Sequence, residues 1–246
     1  MNAFLSAIFL TTIGSMAQAA EIVVFAPGNV REAISQIIPR VEASTGEKVR
    51  LVLASNIAMR EKLEAGEPFD VLINNSGAMT NYKQARFVID ARLFSRVFAG
   101  LVYRKGSPVP DVTTPESFKS FIQGARTISH SDFRFGGGSA AYYQAVITAL
   151  GIFEIAESKA VLTESGQGAI PVNDGRAEVG IAQSSEITGL QNVAITRLLP
   201  SDPKGLTMFE IALSSKARNA KGAMALVEAL TTEDARTSYA KWGFVP

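Results

Sequence analysis

The chain has 246 residues, 47% hydrophobic and 19% charged, which suits one large domain or two smaller lobes and excludes a disordered chain. Its 24 basic and 23 acidic side chains leave a formal net charge of +1, so there is no electrostatic case for a nucleic acid or an anionic membrane partner. Cysteine is absent and histidine occurs once, excluding a disulfide framework, thiolate chemistry and a multi-histidine metal site.

Residues 1–19 carry no charged side chain, and an apolar run over 4–16 leads to Ala17-Gln18-Ala19. Small residues at these positions are what a signal peptidase reads, which predicts a signal peptide at 1–19 and a protein exported to the periplasm. Residues 21–26, Glu-Ile-Val-Val-Phe-Ala, read as a buried strand stopped by Pro27-Gly28-Asn29. A helix follows with Ala33, Ile34, Ile37, Ile38 and Val41 on one face, kinked at Pro39 and ended by Gly46. A strand over 48–54 comes next, and Ser55-Asn56 opens a short helix, capped by Asn56, that ends near Gly66. A third strand over 69–73 stops at Asn74-Asn75-Ser76-Gly77. This βαβαβ order predicts a parallel sheet with helices on its faces.

A further strand is expected over 97–103, and the turn-rich segment 104–115 marks a lobe boundary. The pattern then restarts with a helix at 118–124 and a strand at 125–129. The stretch Ser131-Asp132-Phe133-Arg134-Phe135-Gly136-Gly137-Gly138-Ser139 follows and runs into a helix ending at Leu150-Gly151. Strands at 160–163, 178–182 and 206–213 and a short helix at 167–176, despite Pro171, complete the second half. Two closing helices cover 220–230 and 232–241, the second capped by Thr231 or Thr232. The expected fold class is α/β, in two lobes that are each a mainly parallel sheet flanked by helices. Residues 20–98 with 190–246 make lobe 1, and 99–189 make lobe 2.

Ligands of open α/β sheets bind outside the carboxyl ends of the strands. The loops there nominate Gly28, Asn29, Ser55, Asn56, Asn75 and Ser76 from the first half, and Gln167, Gly168 and Gln183 from the second. The glycine loop adds Ser131, Arg134, Gly137, Gly138 and Ser139. Each loop alone is ordinary turn chemistry; several converging on one edge are harder to dismiss. Helix starts present unpaired N–H groups and the positive end of the macrodipole, and Arg134 offers a planar fork suited to a carboxylate. With the remaining donors neutral, the set suits a small oxyanion or carboxylate stripped of its hydration. No cofactor or metal is expected. If the chain is an enzyme, the available bases are His130, Asp132 and Tyr142. Asp70 also lies beside a candidate loop.

Several phrases carry a resemblance: Glu21-Ile-Val-Val-Phe-Ala26, Val41-Glu-Ala-Ser-Thr-Gly46, Leu63-Glu-Ala-Gly-Glu-Pro-Phe-Asp-Val71, Leu150-Gly-Ile152 and Asp174-Gly-Arg-Ala-Glu-Val-Gly-Ile-Ala182. As a set they resemble the periplasmic molybdate-binding-type solute-binding proteins over nearly the whole mature chain. The resemblance implies a type II periplasmic-binding-protein fold, hinge closure on a ligand in the cleft, and delivery to an inner-membrane ABC permease by a monomer that does not insert in the membrane. Ser55 matches the family's serine after the second strand. Pro27-Gly28-Asn29, Gln183 in place of a tyrosine, and Arg134 depart from it. The Ser-Asp…Gly-Gly-x-Ser pattern at Ser131 to Ser139 is similar to a divergent branch of the family associated with organic acids, which includes aconitate isomerase. The departures point to a carboxylate rather than molybdate, with isomerisation of an unsaturated tricarboxylate as the alternative function.

Overall fold

The computed structural model describes residues 21–135 and 137–245. The expected signal peptide lies outside the described residues. No helix among them is long and apolar enough to cross a membrane.

The first half opens with β1 (Glu21–Ala26), α1 (Arg31–Ser35), α2 (Ile38–Thr45), β2 (Lys48–Leu53) and α3 (Asn56–Glu64), followed by β3 (Val71–Asn75) and α4 (Ser76–Gln84). Strand β1 pairs in parallel with both β2 and β3, as the βαβαβ pattern requires. Its apolar run is continuous because both faces are covered. Ile22 and Val24 pack into one core with Ile73, Ile211 and Leu226, while Val23 and Phe25 pack into another with Met59, Leu72 and Met79. Pro39 does more than kink the expected helix. The chain breaks ahead of it and Pro39 sits in the first turn of α2, where its missing N–H costs nothing.

The expected N-cap at Asn56 is corrected to Ser55, whose side chain accepts from Ala58 N at 3.3 Å. The third strand is shifted two residues towards the C-terminus, and α4 was not expected because Gly77 and three polar residues disguise its start. Asn75 caps it, accepting from Ala78 N at 2.9 Å.

Strand β4 (Val88–Arg104) is much longer than the expected 97–103 and joins the two halves. Its residues 88–98 pair antiparallel with β9 (Leu206–Ser214), which also pairs with β3. Beyond residue 98 it pairs instead with β7 (Val179–Gln183) and β8 (Val193–Arg197). Between these lie α5 (Pro115–Gly124), β5 (Ile128–Ser131), α6 (Gly138–Ala149), α7 (Phe153–Glu157), β6 (Ala160–Thr163) and α8 (Ile170–Asn173). Strand β5 is parallel to β6 and β7. The strand path is β2-β1-β3-β9-β4-β7-β5-β6, with β8 also on β4. The second half has its own cores, Leu101, Ile128, Tyr143, Ile147 and Ile181 on one face and Val102, Val172 and Ala182 on the other. Strand β8 was not expected; residues 193–197 therefore pair within this second half although the sequence reading put 190–246 in lobe 1. Helices α9 (Ala220–Thr231) and α10 (Glu233–Ser238) return to the first half, and Thr232 caps α10.

Asp70, beside a candidate loop in the sequence, is a structural carboxylate. It is 2% exposed at the start of β3, the end away from the loops. It accepts from the backbone N–H of Val23 at 2.9 Å, Arg218 at 2.8 Å and Asn219 at 3.0 Å. Asp70→Ala strands these three donors, and stability falls by about 3 kcal/mol, read as a lower denaturant midpoint at unchanged slope.

Candidate functional site

The parallel strands of each half end on one edge, and the turn after β1 meets the end of β7. The link is direct. Asn29, in a 3-10 turn (Gly28–Val30) after β1, donates from Nδ2 to Gln183 Oε1 at 3.3 Å and to Ser185 Oγ at 3.4 Å. Gln183 ends β7 and donates from Nε2 to Thr207 Oγ1 at 3.1 Å, near the start of β9. Gly138, the first residue of α6, closes against the same pair: a Cβ there would lie 2.5 Å from Gln183 Nε2 and would overlap Thr207 Oγ1. The structure thus brings Asn29, Gly138 and Gln183 together where the chain crosses between its halves.

The other first-half candidates lie in the loops after the parallel strands. Gly28 precedes Asn29, Ser55 and Asn56 open α3, and Asn75 and Ser76 open α4. Ser76 Oγ donates to the carbonyl of Met208 on β9 at 3.3 Å. In the second half Gly137, at φ 130°, is the N-cap of α6, and Ser139 is buried in its first turn.

The glycine loop is built differently from the sequence reading. Strand β5 extends to Ser131, so Ser131 is a buried strand residue rather than a loop residue. Arg134 does not stand alone: Nε lies 3.1 and 3.0 Å from the two Asp132 oxygens, and Nη2 lies 2.5 Å from Oδ2. The Arg134 guanidinium and backbone N–H hold the Asp132 carboxyl down at about 2. Arg134 is 83% exposed and Nη1 makes no bond among the described residues. The loop therefore presents a guanidinium held at one edge with its outer donors open to a ligand.

Gln167 and Gly168 have other work. Helix α8 spans only Ile170–Asn173, so the expected helix start at 167–169 offers no anion-favouring end. Gln167 is exposed and donates to Glu164 at 3.2 Å. Gly168 is glycine because a Cβ would collide with the Ile181 carbonyl, and its own carbonyl accepts from Ser129 Oγ at 2.6 Å.

The three candidate bases are all engaged. His130 is fully buried, with Nδ1 3.0 Å from the Ser131 carbonyl and Nε2 3.0 Å from Glu157 Oε1, and its ring stacks on Phe133 at 4.7 Å. Asp132 is ionised against Arg134. Tyr142 donates to Asp202 Oδ2 at 3.0 Å, and burial together with that carboxylate pushes its hydroxyl pKa up.

Sequence reasoning missed Thr207, a member of the cluster, and Glu186, which lies behind it. Thr207 left no local signal, since only the fold brings β9 under α6. Glu186 had one: it lies three residues after Gln183, the spacing of a capping box, and its Oε2 accepts from Gln183 N at 3.0 Å. Burial pushes its carboxyl up to about 7, against the lowering effect of that N–H.

Two α/β halves with a polar cluster at their junction define a two-lobed binding protein. The profile of the bacterial extracellular solute-binding proteins matches residues 22–245, and the chain belongs to that family. The chain is 24% identical over 231 residues to aconitate isomerase from Pseudomonas sp, covering 91% of this chain and 87% of that protein. It is 22% identical over 242 residues to the molybdate-binding protein ModA of Escherichia coli (strain K12), covering 96% and 93%. The substrate binding domain of a putative molybdenum ABC transporter from Clostridium difficile superposes with a TM-score of 0.75 at 15% identity, covering 92% of this chain and 98% of that one.

Proposed function

We propose that the chain is a periplasmic solute-binding protein that captures a small organic carboxylate between its lobes and delivers it to an inner-membrane ABC permease. The observations that support a carboxylate are the neutral donor cluster at the junction and the exposed Arg134 guanidinium on the loop that leads into α6. Neutral donors replace hydration without fixing ligand charge, whereas the guanidinium adds a positive charge and paired donors that match a carboxylate. Gly28, Asn29, Ser55, Asn56, Asn75 and Ser76 form the lobe 1 wall of this reading; Arg134, Gly137, Gly138, Ser139 and Gln183 form the lobe 2 wall.

Calorimetric titration with trans-aconitate, citrate, succinate and molybdate tests it. A carboxylate binds more tightly than molybdate, and Arg134→Ala weakens the carboxylate about tenfold while leaving the melting temperature unchanged. Preference for molybdate, undiminished in Arg134→Ala, defeats the assignment.

One observation favours a second reading. Similarity to aconitate isomerase spans most of the chain, and Glu186 supplies a carboxyl that exchanges protons near neutrality. Incubation with trans-aconitate, followed by proton NMR for cis-aconitate, separates the two. Steady formation of cis-aconitate makes the chain an isomerase; tight binding without conversion keeps it a carrier.

A further inference from the structure

Glu186 lies in the 3-10 turn Ser184–Ile187 that follows β7. Its carboxyl accepts the backbone N–H of Gln183 at 3.0 Å, so it fixes the residue whose side chain bridges Asn29 in one half and Thr207 near the crossing. Its other oxygen faces the 164–168 loop, 3.8 Å from where a Cβ on Gly166 would stand. Glu186 thus sits directly behind the cross-lobe cluster without belonging to it.

Resting on the anion-binding reading above, we propose that Glu186 is the positioning residue that couples ligand capture to a proton, an anion at the Asn29–Gln183–Thr207 cluster being bound with uptake of a proton by the Glu186 carboxyl. The electrostatic reason is that a second negative charge next to a half-buried carboxylate disfavours its ionised form. Among the described residues no compensating cation faces it. Strand β7 and the Gly28–Val30 turn bring no charged side chain. On β4, Arg96 joins Val245 through its backbone, and Arg104 is committed to the carbonyls of Val172 and Asn173. Strand β8 ends in Arg197, which acts electrostatically on Tyr142 rather than on Glu186. Glu164 accepts from Gln167, and Lys241 lies over the Trp242 ring at 5.3 Å. Burial sets the free carboxyl near 7, and an anion raises it further in the complex.

The sign follows from linkage. Below about pH 7 the carboxyl is protonated before the ligand arrives and affinity is flat. As pH rises through that value, each capture takes up a proton, and affinity falls by up to about tenfold per pH unit.

The test is calorimetry with trans-aconitate and molybdate from about pH 6 to pH 9, in two buffers of different ionisation heat. The wild type loses affinity above neutrality and takes up close to one proton. Glu186→Gln, which copies the protonated acid and still accepts from Gln183 N–H, binds with one affinity across the range and takes up none. A flat wild-type profile, or the same slope in Glu186→Gln, overturns the proposal. A ligand-free measurement keeps it separate from the binding reading: the Gln183 amide resonance shifts with a midpoint near 7 in the wild type and not in Glu186→Gln. A Gln183 amide indifferent to pH overturns the proposal whatever binds. Failure of every anion to bind, with that amide still titrating, overturns the anion-binding reading and this coupling with it, while the Glu186–Gln183 contact stands.

Discussion

Gly243→Ala lowers stability by about 3–4 kcal/mol. Gly243 adopts φ +78°, a left-handed conformation that costs an alanine about 1 kcal/mol by itself. The greater part is collision. A Cβ there would overlap the Ser184 carbonyl oxygen and stand 2.5 Å from its carbon and 2.8 Å from Ser185 N. These are backbone atoms of the turn that follows β7, and no side-chain rotation moves them aside. The segment cannot lift away cheaply either. Ser184 Oγ donates to the Gly243 carbonyl and accepts from Phe98 N at 3.2 Å, and Phe244 packs edge-on against Phe94 at 5.9 Å and Phe209 at 6.2 Å. Thermal unfolding of Gly243→Ala is expected roughly 10 °C below the wild type. Gly46→Ala is the control: φ is +72°, but no atom lies within 4 Å of its Cβ position, so only the conformational cost of about 1 kcal/mol remains. Equal losses in the two variants would show that the C-terminal segment yields without resistance.

Much of the framework was legible because local chemistry and final environment agree. The β-branched run 21–26 is buried on both faces and forms β1 with the expected limits. Ala160-Val-Leu-Thr163 likewise forms β6 as expected. What failed was information that is not local. Residues 88–96 mix charged and apolar side chains without strict alternation, and they became strand because β9 lies beside them, with bulges after Ile89 and Leu93. Val193–Arg197 gained its identity only by pairing with β4. The candidate site divides in the same way. Loops after strand ends nominated Asn29, Gly138 and Gln183, which the fold brings together, since that rule depends only on topology. Residue type then misled. Gly168 looked like a backbone donor site and is a close approach to Ile181, while Arg134 looked free and is held by an aspartate two residues earlier. Neither fact has a signature in a single sequence.

Gly138→Ala separates fold from function more sharply than any other substitution. Gly138 begins α6 with ordinary helical φ, so alanine is compatible with the backbone and gains helix propensity of up to about 1 kcal/mol. Its Cβ would nevertheless overlap Thr207 Oγ1 and approach Gln183 Nε2 to 2.5 Å. Both atoms are side-chain ends and can rotate away, which keeps the stability change within about 1 kcal/mol. The rotation breaks the 3.1 Å bond from Gln183 to Thr207 and releases the amide whose oxygen accepts from Asn29 at 3.3 Å. With these donors no longer positioned, the anion forgoes one or two hydrogen bonds in the complex, about 2–3 kcal/mol, so affinity for the preferred anion falls by roughly 30- to 150-fold. The measurement is a calorimetric dissociation constant beside a melting temperature for the same preparation. If affinity is unchanged, the Asn29–Gln183–Thr207 cluster does not hold the ligand. If both quantities fall together, the methyl group wedges the two halves apart, and the junction serves packing rather than recognition.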